Sequence, residues 1–194
     1  MKNFYDKSKL DIPYHTCDQK QFYFNRCAEF DKAQIGYDKI VFLGDSITEG
    51  GGDWNNYFGT KNIVNRGISG DTTLGVLARL NEICFYKPIS LFLLIGINDI
   101  FNSDSPNRKK ITPLSVSNNI IAIAEIIYKR SPSTQVYIQT TLPINNKLYK
   151  KLTGTFPVHE MPLPDQINQI NTRLKKNESQ NHYTVIDLHD IFLD

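Results

Sequence analysis

Short apolar runs that stop at glycine constrain this chain more than any other feature. Ile40-Val41-Phe42-Leu43 stops at Gly44, and Leu91-Phe92-Leu93-Leu94-Ile95, opened by Ser90, stops at Gly96. Continuous apolar runs of this length suit parallel strands buried on both faces. A weaker strand begins at Ile63-Val64 and ends near Asn65-Arg66-Gly67. Gln135 to Gln139 reads as a fourth strand and Tyr183 to Leu188 as a fifth. Helices fall between them. One follows from about Thr72, with Leu74, Leu77, Leu80 and Ile83 on one face. A second is announced by Thr112-Pro113, an N-cap followed by proline at the first helical position. It runs through Ile120, Ile121, Ile123, Ala124, Ile126 and Ile127 and stops before Ser131-Pro132. A long loop rich in proline and lysine covers residues 142–163. A third helix opens at Asp165, with Ile167, Ile170 and Leu174 on its buried stripe. Strands alternating with helices predict an open, doubly wound α/β fold. In such folds ligands bind beyond the carboxyl ends of the strands.

The 194 residues suit one domain, and a 40% hydrophobic share is enough for a real core. Residues 1–37 read as an N-terminal extension packing on a domain of residues 38–194. The stretch Lys20 to Phe30 is expected to be a helix covering a sheet edge. Twenty-two basic against 20 acidic residues, net +2, leave no electrostatic footprint for nucleic acid. The cluster Arg108-Lys109-Lys110 is expected in a solvated loop. Cys17, Cys27 and Cys84 match no zinc spacing and read as reduced and structural. A Cys17–Cys27 disulfide is the alternative for an exported protein. No segment has signal-peptide character or the length of a membrane span, so a cytoplasmic location is expected. Nothing in the pattern assigns an oligomeric state.

Three strand ends carry chemistry. Gly44-Asp45-Ser46-Ile47-Thr48 follows the first strand, Asn65-Arg66-Gly67-Ile68-Ser69-Gly70-Asp71-Thr72-Thr73 the second, and Gly96-Ile97-Asn98-Asp99 the third. A serine at a strand-to-helix turn can reach a substrate carbonyl. The charge that then develops on the carbonyl oxygen needs preorganised donors. Backbone N–H groups of Ser46 and Gly70 and the side-chain amide of Asn98 would supply them. Each block alone has a plainer reading: a turn, a helix entry, a phosphate cradle. The glycine-rich stretch 44–52 lacks the Gly-Lys-Ser/Thr ending of a P-loop and the spacing of a dinucleotide fingerprint. Thr48 also stands where the Gly-x-Ser-x-Gly elbow of the α/β-hydrolases has its second glycine.

As a set, these blocks resemble those of the SGNH hydrolases, the GDSL-type lipases and esterases. The second block resembles the form found in the platelet-activating-factor acetylhydrolase branch. The resemblance spans about residues 38–194. It implies a flavodoxin-like, three-layer α/β/α fold with a five-stranded parallel sheet of order 2-1-3-4-5. It also implies hydrolysis of a small acyl ester with no metal and no cofactor. Ser46 would be the nucleophile, with Ser46, Gly70 and Asn98 as oxyanion donors.

The chain departs from the family in one respect. No Asp-x-x-His follows the fifth strand, so the family's general base and the last helix have no counterpart. His189 is the nearest substitute, with Asp187 two residues before it; side chains so spaced on a strand point in parallel rather than pair. His159 lies in the long loop, and His15 and His182 read as surface residues. Three explanations fit: a fragment of a longer protein, a truncated gene product, or a pseudoenzyme that binds esters without cleaving them. The fragment is the preferred expectation. The competing functions are a non-catalytic binding domain on the same fold and, by fold analogy alone, a nucleotide-binding protein. The loop from Pro143 to Pro164 is expected to help shape the acyl pocket.

Overall fold

Parallel pairing brings the apolar runs together in the computed structural model, which describes residues 2–193 except 9, 11, 14, 102–110 and 158. The Arg108-Lys109-Lys110 cluster lies outside the described residues. The strands are β1 (Ile40–Gly44), β2 (Ile63–Gly67), β3 (Ser90–Leu94), β4 (Gln135–Gln139) and β5 (Thr184–Ile186). They form one all-parallel sheet in the order β2-β1-β3-β4-β5. Gly44 pairs with both Gly67 and Leu94, so three strands end level with one another.

The helices in chain order are α1 (Cys17–Lys32), α2 (Ser46–Gly50), α3 (Asn55–Phe58), α4 (Thr73–Ala78), α5 (Asn81–Tyr86), α6 (Ile97–Phe101), α7 (Pro113–Arg130), α8 (Asn146–Thr153), α9 (Leu163–Asn177) and α10 (Leu188–Ile191). The main core lies on one face of the sheet. There Val41, Leu43, Leu91, Leu93, Val136 and Ile138 meet Val76, Ile83, Ile120, Ile127, Ile167 and Leu174. The alternate strand residues Phe42, Phe92 and Tyr137 are only half-buried. Their rings form a ladder, Phe42 to Phe92 at 5.1 Å and Phe92 to Tyr137 at 4.9 Å. Trp54 and Phe58 around the short α3 reach Phe42 from that side. Burial on both faces is therefore unequal, because a four-residue helix shields far less sheet than α7 and α9 do.

Several elements differ from their sequence pattern. The helix expected from Thr72 breaks at Arg79 into α4 and α5. Arg79 leaves helical geometry (φ −115°, ψ 23°) and turns its side chain inward. The buried residues of α4 are consequently Thr73, Gly75 and Val76, while Leu74 and Leu77 are half-buried. The loop 142–163 holds a helix, α8, capped by the Asn145 side chain and by left-handed Gly154. The fifth strand is shorter than expected, because the Asp187 side chain accepts the Asp190 N–H and starts α10.

Residues before β1 form a second core. Phe4, Tyr5, Ile12, Tyr23, Cys27 and Phe30 surround Ile68, in the loop after edge strand β2. The Tyr23 hydroxyl donates to the Gly75 carbonyl at 2.8 Å, tying α1 to α4. Cys17 and Cys27 are both free thiols on α1. Ten residues along one helix separate them by about 15 Å, beyond the roughly 7 Å that a disulfide tolerates. No described helix is long and apolar enough to cross a membrane.

Candidate active site

Three loops leave the carboxyl ends of β2, β1 and β3, which are neighbours in the sheet. Ser46 is the first residue of α2 and is exposed. Asp45 before it caps the helix, its carboxylate accepting the Ile47 N–H at 3.0 Å. That side chain is buried, and burial pushes its pKa up to about 6. The turn is tight because glycines end the strands. A Cβ on Gly44 would lie 2.3 Å from the Leu94 carbonyl oxygen, and one on Gly67 would lie 2.1 Å from the Glu49 nitrogen. The start of α2 thus rests directly on the sheet end. Asn65 holds the far end of α2, donating to the carbonyls of Thr48 and Gly52 at 2.9 Å each.

Gly70 has φ +78°, a left-handed conformation suited to glycine. No atom lies within 4 Å of where its Cβ would be, so that side of the loop is open. Asn98 is the second residue of α6 and half-buried. Its Nδ2 donates to the Asp71 carbonyl at 2.9 Å, which ties it to the residue beside Gly70. A side-chain amide has two N–H donors, so one remains for a ligand.

The three loops share a buried frame. Arg79 is 1% exposed, and its guanidinium donates to the carbonyls of Gly44 (3.1 Å) and Arg66 (2.8 Å) and to the Asp71 carboxylate (2.9 Å). The Ile68 N–H also donates to the Gly44 carbonyl, at 3.0 Å. One guanidinium therefore reaches the end of β1, the end of β2 and the residue after Gly70. Asp99 accepts from the Thr73 N–H (2.9 Å) and hydroxyl (2.6 Å), and burial pushes it up to about 7. Beneath, Glu82 binds Arg66 at 2.9 Å, the Tyr5 hydroxyl at 2.5 Å and the Ile35 N–H at 2.7 Å. The apolar pattern passes over Arg79, Asp71, Arg66 and Glu82. The available signal is a charged residue inside an apolar stripe, Arg79 between Leu77 and Leu80, which must have buried partners.

Three of the four histidines stand apart from this arrangement, whereas His15 lies near enough to Asp71 to act on its carboxylate. His189 lies in α10, not on a strand, and its N–H donates to the Thr140 hydroxyl at 2.9 Å. The Asp187 carboxylate is held by Lys175 (2.8 Å) and Thr140 (3.0 Å), and the Lys175 ammonium holds its pKa low. His15 is not a surface residue: it is 7% exposed and packs edge-on against Tyr23, because the N-terminal segment folds over α1. His182 is exposed, stacks on Tyr128 and pairs with Glu125 at 3.1 Å. It precedes β5 and so lies at the opposite edge of the sheet from Ser46. His159 borders a cavity of about 800 Å³ lined by Ile111, Met161 and Gln166 among others, which Ser46 does not line. No cluster of metal-ligating side chains occurs among the described residues.

A parallel sheet of order 2-1-3-4-5, with helices on both sides and its polar loops at three adjacent carboxyl ends, defines a flavodoxin-like α/β protein. Residues 42–194 match the model of the GDSL-like Lipase/Acylhydrolase family, and the chain belongs to that family. It is 30% identical over 113 residues to the platelet-activating factor acetylhydrolase IB subunit alpha2 of Rattus norvegicus and of Homo sapiens. That match covers 56% of this chain and 45% of theirs, so it spans about half the length of these relatives. Among solved structures, it is similar to a Streptococcus pneumonia protein described as a platelet activating factor. There the TM-score is 0.68 at 25% identity, over 89% of this chain and 75% of that one. It also shares its fold with the acetyl xylan esterase AlAXEase (TM-score 0.61, 20% identity, 80% and 79% coverage).

Proposed function

We propose that the protein is a serine ester hydrolase acting on a small acyl ester, with an acetylated carbohydrate or a lysophospholipid as the substrate class. One observation carries this reading. Ser46, Gly70 and Asn98 sit on three adjacent, level strand ends, and their loops are joined through Gly44, Asp71 and Arg79. Two relatives named as an acetylhydrolase and an acetyl xylan esterase support a small acyl group.

The Ser46 hydroxyl oxygen attacks the ester carbonyl carbon, and the carbonyl oxygen becomes an oxyanion. The N–H groups of Ser46 and Gly70 and the second Asn98 amide hydrogen receive it. Collapse expels the alcohol and leaves the acyl group on Ser46, from which water releases the acid. The serine proton needs a base, and the Asp-x-x-His of the family has no match in residues 1–194. Turnover of this chain is therefore expected to be low but dependent on Ser46. Hydrolysis of 4-nitrophenyl acetate should be measured beside the Ser46→Ala variant. Loss of activity in the variant supports the reading, and equal activity in both overturns it.

A second reading, an ester-binding domain without turnover, is favoured by Asp187. Lys175 and Thr140 occupy its carboxylate, leaving His189 no acidic partner there. Saturable binding of an acetylated sugar without release of acetate would select this reading.

A further inference from the structure

The helix α8 reaches the site through Tyr149, whose ring packs on Phe101 at 5.1 Å and on Phe156 at 5.7 Å. Phe101 ends α6, the helix that carries Asn98. Since α8 also follows β4, it rises from the same edge of the sheet as Ser46. It buries no residue of its own. Leu148 is 50% exposed and Leu152 is 76% exposed. Four residues apart, they lie on one face of the helix. Lys150 lies opposite them, Lys147 and Lys151 flank them, and all three are exposed. Residues 140–159 contain these three lysines and neither aspartate nor glutamate. Both ends of the helix are capped, by the Asn145 side chain (2.9 Å to the Leu148 N–H) and by left-handed Gly154.

We propose that α8 docks the protein on an anionic lipid surface. Exposed leucines flanked by lysines, without acids, match a bilayer interface in both respects: the apolar side chains enter the acyl boundary and the flanking ammonium groups meet the anionic headgroups. A protein partner would need acidic groups placed to match, whereas a lipid surface offers a diffuse negative charge that three mobile lysines meet in any register. Docking there turns the Ser46 edge of the sheet toward the membrane. It thus favours substrates held at a lipid surface, a consequence that rests on the hydrolase reading; the docking itself does not.

Co-sedimentation of the 194-residue chain with phosphatidylcholine vesicles containing about 30% phosphatidylserine tests it. Binding should be on the order of a hundredfold stronger than to phosphatidylcholine alone, since each lysine near the surface adds to the attraction. The double variant Leu148→Ser/Leu152→Ser should bind at least about tenfold more weakly. The triple variant Lys147→Glu/Lys150→Glu/Lys151→Glu should lose the preference for anionic vesicles. All five residues are exposed, so both variants should keep the parent circular dichroism spectrum. No sedimentation at about 1 mM lipid, equal binding to neutral vesicles, or unchanged binding of the leucine variant would each overturn the proposal. So would a dimer in the absence of lipid that the leucine variant dissolves, which would assign the face to a second copy. Vesicle binding involves no step at Ser46, so its failure leaves the hydrolase reading standing.

Discussion

Arg79 donates to the carbonyls of Gly44 and Arg66 and to the carboxylate of Asp71, whose own carbonyl accepts from Asn98, so one guanidinium joins the ends of β1 and β2 and, through Asp71, the loop after β3. Removing one member of a buried ion pair leaves the other charge unpaired, at a cost of about 3–5 kcal/mol. Arg79→Met should destabilise the protein by that amount in urea unfolding. Asp99 and Asp45 lead to a pH prediction. Burial lifts them from an ordinary value of 3.8 to about 7 and about 6. The folded state therefore holds these protons more tightly than the unfolded chain. The stability they contribute is full below 3.8 and is lost as the pH rises toward 7. Asp99→Asn should flatten the fall in stability between pH 4 and pH 7, as read from urea midpoints across that range. At Asn98, the amide that joins α6 to Asp71 is also the one that the proposed mechanism offers to the oxyanion. Asn98→Ala should slow modification of Ser46 by roughly 10²-fold, while costing only about 1 kcal/mol of stability for the lost hydrogen bond.

Elements whose signals are local were legible in the sequence, and elements shaped by distant partners were not. The helix α7 begins after Thr112, with Pro113 at its first position, and ends before Pro132. Thr112 accepts the Ser115 N–H at 3.1 Å, so Thr112→Ala should cost about 1 kcal/mol. The break between α4 and α5 was hidden, because the leucine spacing continues across it. The turn of Arg79 toward Asp71 outweighs that spacing, and Asp71 is a partner no helical period reveals. Eight residues of α8 between prolines give too short a period to stand out from a loop. The end of β5 was masked in another way: Asp187 and His189 alternate as on a strand, yet the Asp187 side chain caps a helix instead. The turn into α2 depends on glycine at two strand ends. Gly67→Ala would drive a methyl group against the Glu49 backbone. It should lower stability by about 1–3 kcal/mol and, by displacing α2, slow chemistry at Ser46 more than a surface substitution of equal stability cost.

Across the whole molecule, the sheet order and the family blocks agree. Ser46, Gly70 and Asn98 come from segments 24 and 28 residues apart in sequence, and only the pairing of β1 with both β2 and β3 makes their loops neighbours. Sequence spacing named these residues, but it could not show the ionic frame beneath them, whose members lie up to 77 residues apart, as Tyr5 and Glu82 do. That frame joins the segment before β1 to the site: Tyr5 and Ile35 bind Glu82, Glu82 binds Arg66, and Arg79 holds the Arg66 carbonyl. The central claim is that Ser46 is a nucleophile facing a built oxyanion site. The most direct measurement is labelling by a fluorophosphonate, with the modified residue located by mass spectrometry. A single adduct on Ser46, absent in Ser46→Ala and slowed in Asn98→Ala, is the predicted result. Adducts elsewhere, or labelling of Ser46 at the same rate in Asn98→Ala, would contradict it.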